Sequence, residues 1–164
     1  MPLNTFDTCI FITYQPSYLP KGFRLTAVVL QELTAGANDD KEVKYWNEVR
    51  RAREKDETLL VPNGEDWWIA GKVLNSLQRA LRGNNQGKIP KSNAATIQRI
   101  TRDVLIARTA KRVGALLVTD NTKDFELIKN FCSVKTVSGK EFFGLQQSDY
   151  STTKPERLEV ASKD

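Results

Sequence analysis

Short apolar runs rich in Val, Ile, Phe and Thr alternate along this chain with long polar stretches of helical spacing. No other feature constrains the fold as strongly. The runs fall at 3–12, 23–30, 115–119 and 133–137, and their β-branched and aromatic content predicts strands. The stretches at 39–56, 65–82 and 92–113 predict helices, the last opened by Pro90 and a candidate Ser92 cap. Strands separated by helices join through crossovers. The expected fold is therefore α/β, a three-layer α/β/α sandwich with a mainly parallel central sheet. A length of 164 residues suits one domain, expected over 1–144, with a polar, mobile C-terminal tail at 145–164. The segment 82–91, with two Gly, two Asn and a Pro, reads as a loop inside that domain, and no internal repeat interrupts the pattern.

The composition, 40% hydrophobic and 27% charged, is that of a folded domain. The chain contains no histidine, which excludes Ser-His-Asp and Cys-His catalysis, imidazole acid/base work and His-ligated zinc. Its two cysteines, Cys9 and Cys132, lie far apart and form neither a metal-spaced pair nor a disulfide framework, so a reducing compartment is expected. Cys9 sits in an apolar run and reads as a buried, inert thiol. The N-terminus opens on polar Asn4, Thr5 and Asp7 instead of a basic stretch leading into an apolar one, and no run approaches the roughly 18 apolar residues of a membrane helix. A cytoplasmic protein without a membrane partner is the expectation. No Gly-rich loop follows a predicted strand, so dinucleotide and nucleoside-triphosphate cofactors are not expected.

Ligands of open parallel sheets bind outside the carboxyl ends of the strands. Carboxylates fall at those ends here: Asp7 after the first predicted strand residues, Glu32 just after the second strand at the start of a helix, and Asp120 and Asp124, with Asn121 between them, after the strand ending at Thr119. Asp103 belongs to the 92–113 helix, where Ile100, Asp103, Ala107 and Ala110 share one face at three- and four-residue spacing. A carboxylate on an otherwise apolar face must be paired, hydrogen-bonded or metal-bound, because leaving it unpaired costs several kcal/mol. A salt bridge to Arg99 or Arg102, or a slight rotation of the helix, would satisfy Asp103 as well as a metal would. Spacing alone leaves both open. Converging carboxylates suit Mg²⁺ or Mn²⁺, and they persist in the ionised form only with a cation among them.

The surrounding charge has the opposite sign. Net charge is +5 with 25 Lys and Arg, much of it at Arg50, Arg51, Arg53, Lys55, Arg79, Arg82, Lys88, Lys91, Arg99, Arg102, Arg108, Lys111 and Arg112. Any one of these clusters is ordinarily a solvated helix face. Their total suits a polyanion such as RNA.

Four segments resemble the acidic motifs of PIN-domain ribonucleases, in order. They are Phe6-Asp7-Thr8-Cys9-Ile10-Phe11-Ile12, Val28-Val29-Leu30-Gln31-Glu32-Leu33, Asp103-Val104-Leu105-Ile106-Ala107 with Ala110, and Leu117-Val118-Thr119-Asp120-Asn121-Thr122-Lys123-Asp124-Phe125. The closest subgroup is the VapC-like toxins of toxin-antitoxin pairs. The resemblance implies a Mg²⁺-dependent endoribonuclease whose carboxylates hold one or two ions and activate a water. It implies Asp7 and Asp103 as principal ligands, Glu32 as a ligand or water-orienting base, and a fourth acid from the 120–124 turn. The family commonly has Asp or Asn two residues after the Thr. That position is Asn121 here, which leaves Asp124 as the fourth acid and Asp120 in reserve. Cys9 replaces the Asn usual after Asp-Thr. A homodimer and a cognate antitoxin inserting a basic side chain into the pocket are implied as well.

Smaller expectations attach to Thr119, as a hydrogen-bond partner of a carboxylate or phosphate, and to Trp67 and Trp68, as core or interface anchors. Two alternatives remain within the family: an RNA-processing nuclease with no antitoxin, and a module that only docks RNA or protein. The module would be marked by a missing carboxylate, and none is missing. An aspartate-nucleophile phosphatase would want a second Asp two residues after Asp7, where Cys9 stands.

Overall fold

In chain order the elements are β1 (Asn4–Phe6), α1 (Thr8–Thr13), a short 3-10 turn (Pro16–Tyr18), β2 (Leu25–Thr26), α2 (Ala27–Ala35), α3 (Asp40–Lys55), β3 (Leu59–Leu60), α4 (Gly64–Asn84), α5 (Ala94–Arg112), β4 (Leu116–Val118), α6 (Thr122–Ile128), β5 (Thr136–Val137) and α7 (Gly139–Phe143). The structure is a computed structural model and describes residues 2–84 and 94–144. Strands β1, β4 and β5 form one parallel sheet in that order, and β2 pairs with β3 in a second parallel pair. A parallel bridge between Thr5 and Arg24 lays β2 beside β1. The five strands therefore run β3-β2-β1-β4-β5, all in one direction, and their carboxyl ends share one edge. With helices covering the sheet, this is the helix-rich α/β sandwich that the alternation of runs and stretches implies.

Two predicted strands need correction. The run 3–12 is a three-residue strand followed by helix α1, and 23–30 is a two-residue strand followed by α2. Each helix starts on a side-chain cap. The Asp7 carboxylate accepts from the Thr8 N–H at 2.8 Å, and the Thr26 hydroxyl accepts from the Val29 N–H at 3.1 Å. Ile10, Phe11, Val28, Val29 and Leu30 are all buried, so these helix starts read as continuous apolar runs, which periodicity cannot tell from buried strand. Glu32 consequently lies inside α2 and not at a helix start. Helix α4 also runs through Asn84, covering the first three residues of the predicted loop. The rest of that loop, Pro90, the Ser92 cap and the 145–164 tail lie outside the described residues.

One core cluster combines aliphatic side chains with an aromatic group centred on Phe6. Phe6, Ile10, Leu25, Val29, Val104, Leu105, Ile106, Leu117 and Val118 are essentially inaccessible. Phe6 meets the rings of Phe11, Phe23, Phe142 and Phe143 at centroid distances of 5.3–6.4 Å. Helices α4 and α5 pack extensively against each other. Asp66 in the first turn of α4 meets Arg108 and Arg112 at the end of α5, so the two helices run antiparallel. This packing fixes the rotation of α5 and with it the direction of Asp103. Among the described residues, no helix is long and apolar enough to cross a membrane.

Candidate active site at the carboxyl edge of the sheet

Strand β1 ends against β4, and the Asp7 N–H donates to the Val118 carbonyl at 3.0 Å, which brings Asp7 and Thr119 together. Asp7 is extended, as an N-cap must be, and its carboxylate is held on both oxygens. Oδ1 accepts from the Thr8 N–H at 2.8 Å, while Oδ2 accepts from the Thr119 hydroxyl at 2.8 Å and the Cys9 thiol at 3.5 Å. The buried Thr119 oxygen accepts in turn from the Asn121 N–H at 3.0 Å. Burial first, and then the neighbouring Asp7 charge, push the Cys9 thiol up to about 11, so it stays protonated and donates.

Thr8 ties this corner to α2 by donating from its hydroxyl to Glu32 Oε2 at 2.5 Å, while Glu32 Oε1 lies 3.2 Å from Arg102 Nε. On the other side Asp124, in the first turn of α6, accepts from Asn121 Nδ2 at 2.8 Å and lies 3.3 Å from Arg99 Nη1. Asp103 sits between them, 6% exposed. Its Oδ2 is fully enclosed without a hydrogen-bond partner. Burial, and after it the charges of Asp7, Asp124 and Glu32, push its carboxyl up to about 8, with Arg99 giving a smaller opposing pull. Each of the three other acids is thus near enough to act on Asp103. The sequence allowed Arg99 or Arg102 to neutralise Asp103, but both pass it and pair with its neighbours.

Asp66 is a useful contrast on the same pair of helices. It is completely buried, yet it lies 2.5 Å from Arg112 and 3.3 Å from Arg108 and also accepts from the Asn63 N–H. That is how this fold satisfies an acid whose role is to hold helices together. Among the described side-chain atoms that are buried without a partner, Asp103 Oδ2 is the one belonging to an ionisable group.

Of the residues singled out in the sequence, Asp7, Glu32, Asp103 and Asp124 converge, with Thr119 and Asn121 as their hydrogen-bond donors. Asp120 faces away from them, accepting from the Tyr14 hydroxyl on Oδ2 and the Gly139 N–H on Oδ1, both at 2.8 Å. That junction leaves no room for a side chain at 139, since a Cβ there would lie 2.6 Å from Tyr14 Cζ. Sequence reading missed the Thr8 bond to Glu32 and the pairing of Arg99 and Arg102 with Asp124 and Glu32. The adjacency of Thr8 to Asp7 was the only available signal for the first.

The donors are all hard oxygens apart from one protonated thiol, and an enclosed, partnerless carboxylate oxygen sits among three like charges. Those features fit a divalent cation that prefers oxygen. Among the described residues no three acidic or thiol side chains are drawn tightly enough to form a finished metal cage.

No protein-family profile matches the chain, and no curated protein matches it in sequence. Twelve chains of solved structures are similar to it, three of which follow. One is a FitAB complex bound to an IR36 DNA fragment, at 15% identity and TM-score 0.47, covering 83% of this chain and 94% of that one. Another is VapBC-1 from nontypeable Haemophilus influenzae, at 21% identity and TM-score 0.45, covering 83% and 97%. The third is DNA-bound VapBC from Salmonella typhimurium, at 18% identity and TM-score 0.46, covering 84% and 98%.

Proposed function

We propose that this chain is a Mg²⁺- or Mn²⁺-dependent endoribonuclease and the toxin of a type II toxin-antitoxin pair. The observation that carries the nuclease reading is the enclosed, partnerless Oδ2 of Asp103 among Asp7, Glu32 and Asp124. The resemblance of four ordered segments to PIN-domain motifs supports it independently. Bound between these carboxylates, the ion would supply an activated water and neutralise charge on a phosphodiester. In this reading Asp7 and Asp103 hold the ion, with Asp124 as the fourth acid of the set because both oxygens of Asp120 are engaged elsewhere. Glu32 orients the water and accepts its proton, a role that falls to a carboxylate in a chain without histidine. Thr119 and Thr8 lock the rotamers of Asp7 and Glu32 before substrate arrives.

The toxin role, with a cognate antitoxin, rests on the subgroup resemblance of the motifs. One observation favours a rival, an RNA- or protein-docking module without catalysis: Arg99 and Arg102 already neutralise Asp124 and Glu32. A single experiment separates them. Purified protein should cut total RNA with Mg²⁺ or Mn²⁺ and not with chelator. Asp7→Asn and Asp103→Asn should each lose at least about 100-fold, since removing even an outer partner of a metal ligand costs 10–100-fold. Full cleavage by either variant would refute the reading. Expression of the chain alone should arrest growth, with relief by the product of a small adjoining reading frame. Harmless expression of a cleaving enzyme would point to RNA processing.

A further inference from the structure

Arg99 and Arg102 differ from the other arginines that α5 turns inward. Arg108 and Arg112, 19% and 35% exposed, converge on one fully buried acid, Asp66, whereas the acids that Arg99 and Arg102 meet are partly open, Asp124 at 15% and Glu32 at 20%. Arg99 and Arg102 are 51% and 37% exposed, and each has one nitrogen near a carboxylate, at 3.3 and 3.2 Å, with no bidentate fork. Such contacts are weak and easily exchanged. They stand four residues and one residue before Asp103 on the same helix, yet leave its Oδ2 without a partner. Cations placed at the rim of an acidic pocket, bonded to its outer acids and not its innermost one, are suited to leave when a stronger cation enters. A guanidinium that leaves a carboxylate at such a rim finds a matching acceptor in a phosphate.

We propose that Arg99 and Arg102 are exchangeable counter-cations. Without the ion they rest on Asp124 and Glu32, and with ion and RNA present they release those carboxylates and grip the phosphates flanking the scissile bond. This rests on the ribonuclease reading, and it makes two predictions of opposite sign. Removing the arginines should help the ion and hurt the RNA.

Mn²⁺ is titrated calorimetrically into RNA-free protein. Arg99→Gln and Arg102→Gln should each tighten Mn²⁺ binding by about 2- to 5-fold, as expected for loss of a weak exposed pair, and the double variant should do so more. Lysine at either position should stay near the wild-type value. Binding of single-stranded RNA is then followed by stopped-flow fluorescence anisotropy, ahead of cleavage, with Mn²⁺ present and Asp103 intact. Each Gln change should lower affinity and reduce the slope of log K against log salt by about 0.7, the value for one lost phosphate contact. A purely structural role for the arginines would leave that slope unmoved. Unchanged or weaker Mn²⁺ binding in the double variant, or an unchanged slope, would overturn the proposal, as would no Mn²⁺ binding by any form. If the wild type binds Mn²⁺ but cuts no RNA, the ribonuclease reading fails while the Mn²⁺ comparison still decides the exchange.

Discussion

Asp103 and Asp66 are both acids enclosed on α5 and α4, and they differ in what sits opposite. Asp66 has two guanidiniums, whereas Asp103 has three carboxylates. The consequence for Asp103 can be measured as stability. Its carboxyl is raised from 3.8 to about 8 in the folded chain, so the folded state keeps a proton that the unfolded state releases between those values. The stability held by the protonated group is therefore fully present below about pH 4 and is lost as pH rises through about 8. At about 1.4 kcal/mol per unit, the loss amounts to a few kcal/mol. Asp103→Asn keeps the shape without titrating. In chelator, the variant should melt above the wild type by a margin that grows from about pH 5 to about pH 9, and Mn²⁺ should shrink that margin by stabilising the wild type. A margin independent of pH would show that Asp103 is satisfied by something other than its own proton. The sequence put Asp103 on a buried face correctly, because three- and four-residue spacing is a local property of a helix. Its lack of a partner was not readable, since that depends on Arg99 and Arg102 choosing acids contributed by α6 and α2.

At the scale of elements, long amphipathic helices were legible and the short entries to the sheet were not. Helix α3 falls within the predicted 39–56, and α4 and α5 match the other two predicted stretches closely, because each shows polar and apolar faces over several turns. Helices α1 and α2 are enclosed by the sheet and its neighbours, so their exposed polar face is too small to announce a helix. Their starting signals were Asp7 and Thr26, and Asp7 was read for its chemistry alone, although it also caps α1. The antiparallel seating of α4 on α5 depends on Asp66, whose identity as an inward acid was missed among the mixed charges around Glu65. Asp66→Asn would leave Arg108 and Arg112 facing an uncharged group in a buried setting. Breaking such a pair from one side costs about 3 kcal/mol or more. Urea denaturation should show that loss in the midpoint. Arg112→Ala should cost less, because Arg112 is 35% exposed and Arg108 remains to pair with Asp66. A loss below about 1 kcal/mol for Asp66→Asn would mean that water already serves this site.

For the molecule as a whole, the tryptophans carry the sharpest expectation. Helix α4 turns Asp66, Ala70 and Val73 inward at four- and three-residue spacing, which leaves Trp67 and Trp68 56% and 68% exposed. The core half of their expected role is thereby overturned, because α4 packs Ala70, Val73 and parts of Ile69, Leu74 and Leu77 against the core instead. An aromatic side chain covers on the order of 150–250 Å², and a stable interface needs about 800 Å² from each partner. Two adjacent tryptophans with Val61, itself 56% exposed, supply a large part of that. Aromatic residues are enriched at interfaces, and we propose this face of α4 as the place for the homodimer that the family resemblance implies. Sedimentation velocity should find the wild-type chain dimeric at micromolar concentration. Trp67→Ser with Trp68→Ser should make it monomeric while leaving its melting temperature nearly unchanged, because neither side chain fills the core. A dimer that survives both changes would move the interface elsewhere. A monomeric wild type would leave the tryptophans to a different protein, and co-purification with the adjoining gene product should then bury them and quench their fluorescence response to iodide.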